Sequence, residues 1–433
     1  MRKNKVDVIT LGCSKNLVDS EQLIRQFLAN GYKVQHNSPT VNGEIVVLNT
    51  CGFIGDAQEE SINMILSMVE AKKQGRIGQV YVMGCLTERF MDELKAEIPE
   101  VDGYYGKFNW KNLLTDLGKA YHHDPLGGNR SITTPSHYAY MKISEGCNRS
   151  CSYCAIPLIT GKHQSRPMEE LVAEAESLVA SGVKEIQLIA QDLTFYGLDR
   201  YKKNSLAELL QRLSDVKGLE WLRLHYAYPA DFPLEILSVM RERENICNYL
   251  DIALQHISDP MLRQMRRRVT KAETYELLGY MRESVPGLHL RTTLMTGHPG
   301  ETEQDFEELL QFVRDIRFDR MGAFVYSHET GTFAYDKYED DIPLAVKQER
   351  MDRLMSTQEE IATELNAAKV GKTFKVLIDR AEDEYYIGRT EYDSPEVDQE
   401  VLITKETELT VGNFYPIEIT SADTFDLYGQ FKA

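Results

Sequence analysis

Between residues 1 and 130, short apolar runs alternate with stretches in which apolar residues recur every three or four positions. VDVITLG precedes SEQLIRQFLANG, EIVVLNT precedes QEESINMILSMVEAKKQG, and QVYVMG precedes ERFMDELKAEI. The first kind reads as strand and the second as amphipathic helix, which predicts a parallel α/β sheet domain. HHDPLGGNRSITTPS, rich in turn formers, reads as a linker. The rhythm then resumes in YAYMKIS, EIQLIA, LEWLRLHYA, YLDIAL, LHLRTTLMT and MGAFVYS, with helical patterns such as PMEELVAEAESLVASG, SLAELLQRLSDV and TEQDFEELLQFVRDI between them. Six such units predict a partial (βα)6 barrel with its chemistry at the C-terminal strand ends. LAVKQERMDRLMSTQEEIATELNAAKVG reads as one long helix ended by Gly371. TFKVLID, YYIGRTEY, EVLIT, FYPIEIT and FDLYGQF predict a small antiparallel, OB-like β-barrel. The expected domains are therefore 1–130, 136–370 and 371–433.

Composition narrows this picture only slightly. In 433 residues, 42% hydrophobic and 27% charged content is ordinary for a soluble globular protein. No apolar run reaches the ~18 residues of a membrane span. The opening MRKNKVDVITLG lacks the apolar core of a signal peptide, which points to the cytoplasm. In that compartment seven cysteines argue against a disulfide framework. A net charge of −18 disfavours nucleic acid and suits a basic partner, though solubility alone also accounts for it.

The cysteines change the picture more. Cys13, Cys51 and Cys85 each follow a strand of the first domain, so a parallel sheet brings them to one edge. A single cysteine there is more often core than ligand; three at equivalent places point to metal ligation. GCNRSCSYC carries Cys147, Cys151 and Cys154 at another strand end. This C-x3-C-x2-C loop suits three corners of a cubane iron–sulfur cluster. Zinc completed by His163 is the alternative, without a standard zinc spacing. Cys247 has no partner and reads as a structural thiol. Arg263, Arg266, Arg267 and Arg268 read as a solvated helix face or an anion grip, and GHPGE as a tight turn.

Taken together these motifs carry a family resemblance. GCNRSCSYCAIP resembles the cluster loop of radical S-adenosylmethionine (SAM) enzymes, with Tyr153 before the last cysteine. LGCSKNLVDSE, NTCGFIGDAQEESI and VMGCLTER resemble the N-terminal domain of the methylthiotransferases, and RTTLMTGHPGET resembles their late-barrel motif. In that motif His298 stands where an HGFPGE-like turn carries an aromatic residue. The last segment resembles their TRAM barrel in place and size. LGCSKN is similar to the branch that modifies an aspartate of ribosomal protein S-twelve; the tRNA branch carries a Gly-Cys-Gln-Met-Asn version.

The resemblance implies two 4Fe–4S clusters, one on each cysteine trio, each with an open iron. It implies SAM as radical source and methyl donor, with sulfur and a methyl group added at the aspartate β-carbon. An electron donor, a sulfur source and the basic ribosomal protein, free or in the small subunit, are the implied partners. Strand-end position makes Gln191, Asp192, Gln255, His256, Arg291 and Thr296 candidates to contact SAM beside Tyr153. Residues 372–433 hold six basic and 14 acidic residues, a net charge of −8 that disfavours tRNA. A tRNA methylthiotransferase, an iron–sulfur electron carrier and a zinc-bound RNA-binding module are the competing readings.

Overall fold

The computed structural model describes residues 1–124 and 128–432. Residues 125–127 of the expected linker lie outside the described residues; its remainder contains neither helix nor strand. The N-terminal sheet comprises β1 (Arg2–Thr10), β2 (Lys33–His36), β3 (Gly43–Thr50), β4 (Gln79–Gly84) and β5 (Gly103–Gly106). All pair in parallel, in the order β2-β1-β3-β4-β5. The three expected strands, β1, β3 and β4, are neighbours. Thr10 pairs with Asn49 and Thr50 with Gly84, so their C-terminal ends lie side by side.

Burial on both faces explains why β3 and β4 read as unbroken apolar runs. Val46, Leu48, Val80 and Val82 pack with Ile65 and Val69, whereas Val47, Tyr81 and Met83 pack with Leu23 and Phe27. The sequence pattern did not reveal β2 and β5. KVQH is half exposed, and GYYG spends two of its four positions on glycine, so neither forms an apolar run.

The central sheet is built from β6 (Tyr138–Lys142), β9 (Glu185–Ile189), β10 (Trp221–Ala227), β11 (Ile246–Ile252), β12 (His289–Thr296) and β13 (Arg320–Val325). A short antiparallel pair, β7 (Ser144–Glu145) and β8 (Gln164–Ser165), brackets the cysteine loop. The six long strands run parallel in the order β13-β12-β11-β10-β9-β6, the expected part-barrel. Helices such as Met168–Ala180, Leu206–Ser214 and Glu303–Ile316 bury their apolar faces against it. The last of these starts in a capping box, in which Thr302 and Asp305 satisfy each other's backbone N–H groups. The long helix Leu344–Ala367 stops short of Gly371, which adopts the left-handed φ of +81° in the turn beyond it.

The C-terminal barrel closes through β14 (Thr373–Ala381), β15 (Tyr385–Thr390), β16 (Val401–Thr404), β18 (Leu427–Phe431) and β17 (Phe414–Ala422). Every seam is antiparallel except β16–β18. The loop between β15 and β16 reaches into the part-barrel. Asp398 accepts hydrogen bonds from Tyr249 Oη at 2.8 Å and Arg291 Nε at 3.2 Å, and Arg320 donates to Asp393. Ser394 Oγ donates to Gln187 Oε1 at 3.1 Å. Beside this loop, buried Glu185 accepts from Arg223 and Arg389, each at 2.8 Å, tying the two barrels together.

Candidate active site between the sheet edge and the barrel mouth

In the first trio, each cysteine sits where a strand gives way to a turn or helix. The helix Ser14–Ala29 starts directly after Cys13, and the helix Cys85–Glu97 starts on Cys85. Glycines beside the cysteines make the convergence possible. A Cβ on Gly12, whose φ is +87°, would lie 2.8 Å from Cys51 Cβ and 2.9 Å from Cys51 Sγ. A Cβ on Gly52 would lie 2.7 Å from the Cys85 carbonyl oxygen. Asn16 ties the ends together. Its Nδ2 donates to the carbonyls of Leu11 and Thr50, both at 3.1 Å, and Cys85 Sγ donates to its Oδ1 at 3.4 Å. Burial pushes the Cys51 thiol up and the Cys85 thiol up to about 12, against the pull of nearby Lys107.

The second trio is wrapped by a short loop. Cys147 N–H donates to Gly161 O at 3.1 Å, and a Cβ on Gly146 would lie 2.2 Å from Lys162 O. Only glycine fits that approach. Arg149 N–H donates to Cys147 Sγ at 3.4 Å, and Cys154 N–H to Cys151 O at 3.2 Å. Burial pushes Cys147 up to about 12 and raises Cys154 as well. Both thiols are therefore protonated at neutral pH until a metal displaces the proton.

All six cysteines line one cavity of about 380 Å³ between the sheet edge and the barrel mouth. Among the described residues, no three His, Cys, Asp or Glu side chains gather closely enough to hold a single ion. A four-iron cubane is wider than one ion and takes thiolates at its corners, so the donor set fits such a cluster. His163 bonds Ser165 Oγ at 3.0 Å and does not line the cavity, which removes it from a zinc shell there.

Four of the seven expected SAM-contacting residues line the cavity: Tyr153, Gln191, Asp192 and Gln255. The Oε1 atoms of Gln191 and Gln255 are buried and unpartnered among the described residues, which suits a polar ligand. The other three are spoken for elsewhere. His256 Nδ1 accepts from the Ile257 and Ser258 N–H groups at 2.9 and 3.0 Å. Thr296 Oγ1 donates to Lys347 O at 3.0 Å. Arg291 pairs with Asp251 and Asp398, each at 3.2 Å, and lines an adjoining cavity instead.

Several site residues escaped the sequence reading. Arg263, Arg266 and Arg268 are exposed as a solvated face would be, but Arg267 is buried at the cavity wall. Both of its neighbours, Arg266 and Arg268, have left-handed φ values of +58° and +55°. Arg267 Nη1 donates to Cys151 Sγ at 3.5 Å and to Tyr153 Oη at 3.2 Å. Its guanidinium lies 4.1 Å from the centre of the Tyr228 ring, and that of Arg149 lies 4.0 Å from it. Arg149 is fixed by Asp192 at 2.9 Å. Lys107, deep between domains, pairs with Asp19 at 2.8 Å. An arginine run does not show which of its members turns inward, so periodicity had no means of marking Arg267.

A part-barrel with a three-cysteine loop at its mouth, capped by a sheet domain with a second trio, defines a radical SAM protein of the methylthiotransferase kind. A family model matches each of the three segments. The Radical SAM superfamily model matches residues 141–313, the TRAM domain model 370–431, and the model described as Uncharacterized protein family UPF0004 residues 5–106. Proteins named ribosomal protein uS12 methylthiotransferase RimO are similar over the full length. That of Parabacteroides distasonis is 67% identical, and that of Porphyromonas gingivalis 69%, each covering 99% of both chains. That of Bacteroides fragilis is 63% identical, covering 99% of this chain and 100% of its own.

The chain belongs to the ribosomal protein uS12 methylthiotransferase family. It is a radical SAM transferase, and membership implies a 4Fe–4S cluster and SAM. Solved structures of low identity share the fold alone. The methyltransferase TsrM of Kitasatospora setae, solved with cobalamin and a [4Fe-4S] cluster, is 15% identical with a TM-score of 0.54 over 75% of each chain. OxsB, solved with aqua-cobalamin and SAM, is 13% identical with a TM-score of 0.53, over 82% of this chain and 56% of its own.

Proposed function

We propose that this protein inserts sulfur and a methyl group at the β-carbon of an aspartate in ribosomal protein uS12, using SAM and two 4Fe–4S clusters. The observation that carries the reading is that both cysteine trios line one cavity. Cys147, Cys151 and Cys154 would hold a cluster that would supply the electron for SAM cleavage, chemistry able to remove hydrogen from an unactivated carbon. Cys13, Cys51 and Cys85 would hold the second cluster, which would supply the sulfur to be inserted. The protein's own side chains arrange the rest. The guanidinium of Arg149 sets positive charge near Cys147, that of Arg267 beside Cys151, and the two flank Tyr228. Gln191 and Gln255 offer free acceptors to a polar ligand, and Asp192 holds Arg149 in place.

An electron donor and a sulfur source complete the partners, and uS12 as target makes the cytoplasm the site of action. Among the described residues, no helix is long and apolar enough to cross a membrane. The C-terminal barrel's net charge of −8 supports the basic ribosomal protein over tRNA. The test is anaerobic incubation of the iron-loaded enzyme with SAM, a reductant and either purified uS12 or tRNA, followed by mass analysis of both. Sulfur and one methyl group are expected on a single aspartate of uS12. Methylthiolation of tRNA with unmodified uS12 would assign the enzyme to the other substrate.

A further inference from the structure

A target aspartate brings a carboxylate into the cavity, and a buried carboxylate without a counter-ion is costly. Seven charged side chains line the cavity: Lys15, Lys107, Arg149, Asp192, Asp251, Arg267 and Glu329. Six are already engaged. Lys107 pairs with Asp19, Arg149 with Asp192, Asp251 with Arg291, and Glu329 with Arg89. Arg267 donates to Tyr153 Oη, to Cys151 Sγ and to Ala253 O. Lys15 differs. Half-buried two residues beyond Cys13, its ammonium has no hydrogen bond or ion pair among the described residues.

Among the described residues its ammonium rests instead on an aromatic face. Lys15 Nζ lies 3.3 Å from the centre of the Tyr226 ring, across the junction between sheet domain and barrel. Tyr226 is unusual in its own right. It has a left-handed φ of +68° at the C-terminal end of β10, and its N–H donates to Asp251 Oδ2 at 3.3 Å. A bulky residue in that conformation is strained and is kept only where the surroundings fix it. The ring borders both the thiol-lined cavity and the adjoining cavity that reaches Cys13. A π face holds a cation in place without neutralising it, which leaves the ammonium's charge available to an anion.

We propose that Lys15, seated on Tyr226, takes the target's side-chain carboxylate, positions its β-carbon between the two trios, and so selects aspartate over uncharged side chains. This rests on the aspartate reading above. A lysine that only docked the two domains would affect every target alike, whereas one that reads the carboxylate affects the choice between targets.

The test uses the iron-loaded enzyme with uS12 and with uS12 whose target aspartate is replaced by asparagine. Binding is measured by calorimetry and kcat/KM by mass analysis, for wild type, Lys15→Gln and Lys15→Arg. Wild type should favour the aspartate form by about 30-fold, the scale of a hydrogen bond to a charged group. The preference should vanish in Lys15→Gln and persist in Lys15→Arg. Survival of the preference in Lys15→Gln overturns the proposal, as does an equal loss on both targets with the ratio unchanged. A wild type that neither binds nor modifies the aspartate form would instead overturn the function proposed above.

Discussion

At the scale of single residues, the site depends as much on what is missing beside the cysteines as on the cysteines themselves. Gly12 lies against Cys51 with a left-handed φ of +87°. Gly31 has a similar φ of +82°, but a Cβ there would meet nothing within 4 Å. The pair separates backbone strain from crowding. Gly12→Ala should displace Cys51 and lower iron from about eight to about four per chain. Gly31→Ala should keep the full iron content, since it carries the backbone cost alone. Iron assay after anaerobic reconstitution checks both. At this scale the convergence of the cysteines was legible, because a cysteine after each of three strands is a pattern in the sequence itself. Lys15, Arg267 and Tyr226 were not. Each owes its role to a contact across the domain junction or to an inward turn of the backbone, and neither leaves a periodic trace.

At the scale of elements, the long parallel strands were legible because burial on both faces leaves apolar runs. The helices that start at Ser14 and Cys85 begin earlier than the apolar periodicity marks, and their first turns already bury Asn16, Leu86 and Thr87. The β15–β16 loop leaves no apolar pattern in the sequence, yet its Asp393, Ser394 and Asp398 bond into the part-barrel. The turn Gly297–Glu301 supports the cluster loop in a similar way. His298 is fully buried, bonded through Nε2 to Ser152 Oγ and through Nδ1 to Pro299 O, each at 3.1 Å. The carbonyl partner makes Nδ1 the donor, so Nε2 accepts from the hydroxyl and the ring is neutral.

Burial lowers the His298 pKa to about 4, with the nearby Lys347 charge acting in the same direction. Between about pH 6.5 and 4 the unfolded chain binds a proton that the folded one refuses. This contribution is full above that window and is lost as pH falls through it, to a total of about 3 kcal/mol. His298→Gln should flatten the fall in urea midpoint between pH 6.5 and 4 relative to wild type. An equal slope in both proteins would remove His298 as its source.

At the scale of the whole molecule, the sheet domain and part-barrel meet at the thiol-lined cavity, and the C-terminal barrel borders the cavity beside it. The sheet domain brings Cys13, Cys51 and Cys85, and the part-barrel brings Cys147, Cys151 and Cys154. The C-terminal barrel reaches into the part-barrel through residues that border the adjoining cavity, among them Ser394 and Glu396. Its excess of acid over base was legible by counting, but its plugging of the barrel was not, because that depends on pairings between residues more than a hundred positions apart.

On the function proposed above, each trio would hold its own four-iron cluster beside one cavity. Iron and acid-labile sulfide per chain, measured on anaerobically reconstituted protein, test it most directly. Wild type should hold about eight irons, and about four should remain both in the Cys13→Ala, Cys51→Ala, Cys85→Ala triple variant and in the Cys147→Ala, Cys151→Ala, Cys154→Ala triple variant. A wild type that saturates at about four irons, or a triple variant that keeps about eight, would contradict the account.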